Sequence, residues 1–233
     1  MDYSRFGIPW NDCRKLLPAA DMARLERFVG LNENCCGSKE RWWFVEDHNP
    51  ITDVFLVDFI DNADDLCNRL LQIRTPIINL RVNTTGGQAT EMLKIFGAMY
   101  QMMLQGKTIY SVIGGLAASA SSLLAVAGHR VHMSEDAFFA IHAAYDVPGK
   151  EPTPQQTQDV LQRMVVDIYQ ARTGVPREQI QAWLQQDTLF TPREALELGF
   201  VDEIVRPQEC FTEDGYRELL ERHKPKLFTG MLG

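Results

Sequence analysis

The sequence predicts an α/β fold built on a mainly parallel sheet. Two observations carry this. From residue 52 onward, short runs rich in Val and Ile alternate with longer stretches whose apolar residues recur every three or four positions. Those longer stretches have helical length, so successive strands connect by crossovers, which are right-handed and leave the strands parallel. In such sheets the chemistry gathers at the C-terminal ends of the strands.

Residues 54–60 form the first expected strand. A helix over 62–73 follows, with Asn62 as its N-cap and Ala63, Leu66, Leu70 and Leu71 on one side. Residues 76–82 are a second strand, ending in Asn83-Thr84-Thr85-Gly86-Gly87. The spacing of Met92, Ile95, Phe96, Met99 and Met103 predicts a helix over 89–104, stopped by Gly106. Residues 108–113 read as a strand that Gly114 and Gly115 break, with a small-residue helix over 116–127 behind them. Short strands over 129–133 and 138–141 come next. After the Pro-rich stretch 148–155 a long helix is expected over 155–173, with Gly174 as its C-cap. A further helix starts at Pro176, and 187–190 reads as a loop. Thr191-Pro192-Arg193-Glu194 has the pattern of a capping box, with Pro192 at the first helical position. That helix ends at Gly199.

Outside this frame the signals are weaker. Residues 1–50 are an N-terminal extension of unassigned role, with a helical spacing over 20–29 and an aromatic cluster at Trp42, Trp43 and Phe44. That cluster reads as a strand or lid packed on the rest, with an exposed patch for a partner as the alternative. Residues 51–205 form the main domain. Residues 206–233 are a charged tail with one expected helix over 212–223.

Composition excludes several classes. The 233 residues carry a net charge of −8 with no basic stripe, which argues against nucleic acid as the main partner. No apolar run approaches the about 20 residues that cross a membrane. Residues 1–20 lack the apolar core of a signal peptide, so a cytoplasmic location is expected. Cys13, Cys35, Cys36, Cys67 and Cys210 form no C-x-x-C pair, so free thiols are expected, with neither disulfide framework nor metal site. No phosphate- or adenine-binding pattern is present, and no cofactor is expected.

The stretch 109–124 carries the chemistry. It places Ser119 near the junction of a strand end and a helix start, where free amides collect and the helix dipole favours negative charge. A hydroxyl there can attack a carbonyl while amides hold the oxyanion. A nucleophilic serine needs an imidazole in reach and a carboxylate to orient it. The candidates are Ser119, His142 and Asp187. Ser121 and Ser122 compete on the same helix, but their directions diverge from that of Ser119 by about 160° and about 60°. They lie deeper, where serine bonds backbone carbonyls. His129 and His132 read as surface or supporting groups, and His48 and His223 lie away from other signals. Asp202 and Asp136 are alternative carboxylates.

Four ordered motifs resemble the Clp protease proteolytic subunit (ClpP) family, its phage-encoded members in particular. They are Asn83-Thr84-Thr85-Gly86-Gly87, Gly115-Leu116-Ala117-Ala118-Ser119-Ala120, Phe139-Ala140-Ile141-His142, and the stretch from Asp187 to Asp202 with Glu194-Ala195 and Gly199. The resemblance spans about residues 54–205. It implies a ClpP/crotonase-like superhelical β-β-α repeat fold with helix 155–173 as a protruding handle. It implies a serine endopeptidase in which Ser119 is nucleophile, His142 general base, Asp187 its orienter, and the amides of Gly87 and Ala120 the oxyanion hole. It also implies a homo-oligomeric ring, heptameric or tetradecameric, acting on peptide or unfolded protein, with an AAA+ unfoldase as a possible ATP-consuming partner. The apolar residues Val160, Leu161, Met164, Val165, Ile168 and Tyr169 wrap around more than one side of the long helix, which fits burial against a second copy. Two readings remain beside this one: an inactive ring serving as a scaffold, and a crotonase-type acyl-CoA enzyme. His142 is followed by Ala143-Ala144 where family members often carry Gln-Pro, and residues 1–50 do not resemble the family's N-terminal loop.

Overall fold

The computed structural model describes residues 8–9, 42–144 and 153–206. The expected helices over 20–29 and 212–223 lie outside these residues, as do four of the five cysteines. Among the described residues nine strands join in one sheet. They are β1 (Ile8–Pro9), β2 (Trp43–His48), β3 (Ile51–Ile60), β4 (Ile77–Gly87), β5 (Thr108–Ala118), β6 (Arg130–Ser134), β7 (Phe138–Ile141), β8 (Thr188–Phe190) and β9 (Glu203–Val205). The helices are α1 (Asp64–Gln72), α2 (Ala89–Leu104), α3 (Ala120–Val126), α4 (Gln155–Thr173), α5 (Arg177–Gln185) and α6 (Pro192–Glu197).

The sheet runs β1-β8-β7-β5-β4-β3-β2, with β6 and β9 branching from β5. Strands β3, β4, β5, β6, β7 and β9 pair in parallel. The edges are antiparallel, β2 on β3 and β8 on β7, with β1 outside β8. The Trp42-Trp43-Phe44 cluster therefore opens an edge strand, with Trp43 buried and Phe44 stacked on Phe55 at a centroid distance of 4.8 Å.

Four expectations change. Gly114 and Gly115 do not break β5. The strand continues to Ala118, and the glycines mark where its neighbour changes: Ile113 pairs with Met133 of β6, whereas Leu116 pairs with Phe138 of β7. On the other side Val82 faces Ile113 and Thr84 faces Ala117, so β5 carries a bulge across 114–116. Asn83 Oδ1 accepts from Leu116 N at 3.1 Å and closes that bulge. The helix behind is correspondingly shorter, starting at Ala120.

Asn62 is not the N-cap of α1. The cap is Ala63, whose N–H donates to Glu91 Oε2 at 2.7 Å across from α2. That bond, with Lys94 beside it, holds the Glu91 carboxyl below its usual range against the opposing effect of burial. Residues 188–190 form a strand, not a loop. Finally, His132 is fully buried on β6, stacked over Tyr110 with Glu203 Oε2 3.9 Å away, and is not a surface group.

The core beneath β7 and β8 is aromatic. Phe200 touches Phe139, Phe190 and Tyr169 at centroid distances of 4.9, 5.3 and 5.6 Å, and Trp183 closes on Phe190 at 5.1 Å. Burying each such ring contributes about 1.5–3 kcal/mol. These residues come from β7, α4, α5, β8 and the turn after α6, so the cluster binds the C-terminal third of the chain to the sheet. The capping box at Thr191 forms as expected, Glu194 Oε2 accepting from Thr191 N at 2.8 Å. No helix among the described residues is long and apolar enough to cross a membrane.

Asp202 follows this cluster and serves packing. Its Oδ2 lies 2.6 Å from Arg172 Nη2 on α4 and accepts from Val131 N at 2.8 Å. Burial pushes the carboxyl up, but the guanidinium and the Val131 N–H outweigh it and hold it below the usual carboxylate range. A depressed folded-state pKa gives stability that is complete above the unfolded value, about 3.9, and is lost as pH falls through the folded value. Asp202→Asn is therefore expected to cost about 2–3 kcal/mol at neutral pH by leaving Arg172 without its counter-charge. Urea unfolding should show the gap to wild type narrowing as pH drops below about 4.

Candidate active site

Three strand ends converge on Ser119. It follows the last residue of β5 and caps α3, with φ 56° and ψ −130°. A non-glycine residue in that region is strained, typically by about 1–3 kcal/mol, and such corners concentrate at functional sites. A strand-to-helix corner of this shape turns the side chain out of the sheet, and Ser119 is half-buried where its helical neighbours are fully buried. Its N–H donates to Ala140 O on β7 at 3.1 Å, which fixes the corner beside the strand leading to His142.

The motif from Asn83 to Gly87 lies on the other flank, in line with β4. Ser121 bridges the two. Its Oγ accepts from Ala118 N at 2.9 Å and lies 3.0 Å from Thr84 O, and Thr84 Oγ1 accepts from Gly86 N at 3.0 Å. Gly86 has φ 101°, and a Cβ there would stand 2.6 Å from Ala118 O and 2.7 Å from Ser119 Cβ. A Cβ on Gly87 would stand 2.1 Å from Ile60 O. Only glycines let this backbone approach β3 on one side and the serine corner on the other. Ala120 N belongs to the first turn of α3, where N–H groups have no intrahelical acceptor.

His142 leaves β7 and Asp187 enters β8. The two strands pair antiparallel with Ile141 opposite Thr188. His142 and Asp187 each lie one residue beyond this last pair. Asp187 has φ 50° in the tight turn between α5 and β8, a conformation that Asp tolerates better than most residues. It is exposed, and His142 is half-buried. His142 Nδ1 lies 2.7 Å from Ala143 O. The following N–H, of Ala143, donates to Leu184 O at 2.8 Å and ties the segment to α5.

The competing residues sit elsewhere. His129 Nδ1 accepts from Ile109 N at 3.1 Å, at the opposite end of β5 from Ser119, and burial lowers its pKa. His48 lies near Glu46 and Asp53 at the β2–β3 turn. Asp136 is exposed in the β6–β7 turn, Asp202 is engaged by Arg172, and His223 lies outside the described residues. Ser121 and Ser122 are fully buried and bond backbone carbonyls. Sequence reading missed Asn83 and Ser121 as braces of the corner, because their role depends on partners 33 and 37 residues distant. Among the described residues no group of His, Cys, Asp or Glu is arranged to hold a metal.

The fold is the mixed α/β fold of ClpP proteins, with a mainly parallel sheet. The chain shares it with a mutant of ClpP1 from Listeria monocytogenes at a TM-score of 0.59 and 20% identity, over 70% of this chain and 93% of that one. The chain belongs to the Clp protease family, whose model matches residues 52–208. A curated relative, the ATP-dependent Clp protease proteolytic subunit 2 of Thermobifida fusca, is 28% identical over 166 residues, 65% of this chain and 79% of the relative.

The glycine geometry gives a direct test. Gly86→Ala should force both the backbone angle and the Ala118–Ser119 contact to give way. A loss of about 2–3 kcal/mol is expected in urea unfolding, together with loss of any activity that depends on Ser119.

Proposed function

We propose that the protein is a serine endopeptidase acting through an acyl-enzyme, with Ser119, His142 and Asp187 in the roles named above. One observation carries the reading most: Ser119 occupies a strained strand-to-helix corner bonded to the strand that leads to His142. In the proposed reaction His142 takes the Ser119 Oγ proton as Oγ bonds to the scissile carbonyl carbon. The oxygen that gains charge faces the N–H groups of Gly87 and Ala120. His142 then gives its proton to the leaving amine as the C–N bond breaks. A water repeats the sequence on the acyl ester and frees Ser119. Asp187 stabilises the imidazolium, a role supported by the pairing of the neighbouring Ile141 and Thr188.

Ser119→Ala should lower peptide hydrolysis by about 10³-fold or more. It should also abolish labelling by a fluorophosphonate, with unchanged secondary structure by circular dichroism. Because an imidazole base must be unprotonated, kcat/KM should fall toward acid pH. Near-wild-type turnover in Ser119→Ala refutes the assignment.

We further propose that the chain works as a homo-oligomeric ring in the cytoplasm, acting on short or unfolded chains, with an AAA+ unfoldase as the candidate ATP-dependent partner. The family membership supports this, and so does helix α4. Its second half is anchored in the core through Val166, Ile168 and Tyr169, whereas Val160 in the first half is 50% exposed. Ile168 is thus a core residue of its own chain, and the surface open to a second copy lies nearer the N-terminal end of the helix. Val160→Glu should leave the fold intact and shift the sedimentation coefficient toward smaller species. A wild-type species of one 26.5 kDa chain at micromolar concentration would end the ring proposal.

A further inference from the structure

Helix α4 reaches the serine corner through two buried hydroxyls. Tyr169 Oη lies 2.7 Å from Ser122 Oγ, and Ser122 Oγ donates to the backbone carbonyl of Ser119. Both side chains are out of contact with solvent: Ser122 is 0% and Tyr169 1% exposed. Proton counting sets the direction. The carbonyl of Ser119 can only accept, so the single Ser122 proton points at it. The Tyr169 hydroxyl must then donate to Ser122 Oγ. The chain of bonds runs from Tyr169 to Ser122 to the Ser119 carbonyl, every donor pointing toward the corner. Burial pushes the Tyr169 hydroxyl pKa up, against the smaller opposing pull of Ser122, so the tyrosine stays protonated and able to donate at any working pH.

The Ser119 carbonyl and the Ala120 N–H are the two ends of one planar peptide unit. Fixing the carbonyl fixes the direction of the N–H, and hydrogen bonds accepted by the carbonyl polarise the unit and strengthen its N–H as a donor. Ser122 N donates to the same carbonyl at 3.1 Å, so main chain and side chain of Ser122 hold it together. We propose that Ser122 and Tyr169 are positioning residues that aim and polarise the Ala120 N–H toward the oxyanion, an inference that rests on the peptidase reading above. Serine back-bonding within a helix is common. What lifts this one above a packing detail is the tyrosine from a separate helix, spent on a donor that already has a carbonyl to bond. Ser122 also differs from Ser121, whose hydroxyl lies beside the Thr84 carbonyl and so braces the glycine turn instead.

The test uses the full-length protein, a fluorogenic peptide and a fluorophosphonate, with Ser122→Ala, Tyr169→Phe and the double variant. An oxyanion donor acts in the transition state, and losing one outright costs about 10²–10³-fold in kcat. Misaiming it is expected to cost about tenfold or more in kcat for Ser122→Ala, with KM unchanged and the fluorophosphonate reaction of Ser119 slowed in step. Tyr169→Phe should show a smaller kcat loss with the same unchanged KM. Ser122→Ala strands the buried Tyr169 hydroxyl and should also lower stability. In the double variant no hydroxyl is stranded, so stability should recover while kcat stays low. That divergence is the readout a packing role does not give. Recovery of kcat together with stability in the double variant overturns the proposal, as does wild-type kcat in the double variant or in Tyr169→Phe. The latter two still decide if Ser122→Ala does not fold. A wild-type chain that neither hydrolyses peptide nor takes up the fluorophosphonate overturns the peptidase reading, and this inference with it.

Discussion

The structure turns on one strand that must serve two neighbours. Strand β5 pairs with β6 along its first half and with β7 along its second, and it makes the change across a bulge at 114–116. Everything at the candidate site follows from that handover. The second half of β5 has to leave the plane shared with β6, end beside β7, and reverse into α3 within a single residue. That residue is Ser119, and the required turn puts it at positive φ. The backbone cost is met by bonds to Ala140, by Ser121 and Ser122 at the helix start, and by glycines at 86 and 87 that allow β4 to come within contact distance.

The opposite side of the site is held by packing. Strands β7 and β8 are short, four and three residues, and few ladder bonds join them. Their alignment rests on the aromatic cluster of Phe139, Trp183, Phe190, Phe200 and Tyr169 beneath. Large rings in contact have few alternative arrangements, so this core sets which residue of β8 faces which residue of β7. A slip of one residue would break the pairing of Ile141 with Thr188 and shift Asp187 relative to His142. The Arg172–Asp202 pair locks the base of α4 to β6 and the turn after α6, and so keeps the helix that supplies Tyr169 in place.

Long periodic elements were legible in the sequence almost to the residue. Helices 89–104 and 155–173 and strand 138–141 have the bounds their spacing predicts. The capping box at Thr191 and the left-handed Gly174 were readable because caps and turns are made by neighbours in sequence. The errors share one cause. Gly114-Gly115 looked like a strand end because glycine usually weakens a strand, but here it marks a bulge. Asn62 looked like an N-cap, yet the helix start is bonded at Ala63, whose N–H finds its acceptor on Glu91, 28 residues further along. His132 looked polar and exposed, yet it is stacked on Tyr110 inside the fold. Strand β8 is three residues long, too short to show a period at all.

The sequence by itself determined the α/β alternation, the order of the motifs and the residue types able to do acyl-transfer chemistry, because these are local properties of spacing and side-chain class. The tertiary structure alone decided the positive φ of Ser119, the pairing of Ile141 with Thr188 beside His142 and Asp187, and the hydroxyl chain from Tyr169 through Ser122. Each of these depends on groups brought together from distant parts of the chain. Tyr169 and Ser122 are 47 residues apart, and no periodicity links them. Burial makes the difference: a hydroxyl removed from water must find a partner, and the packing of α4 against α3 determines which one it finds.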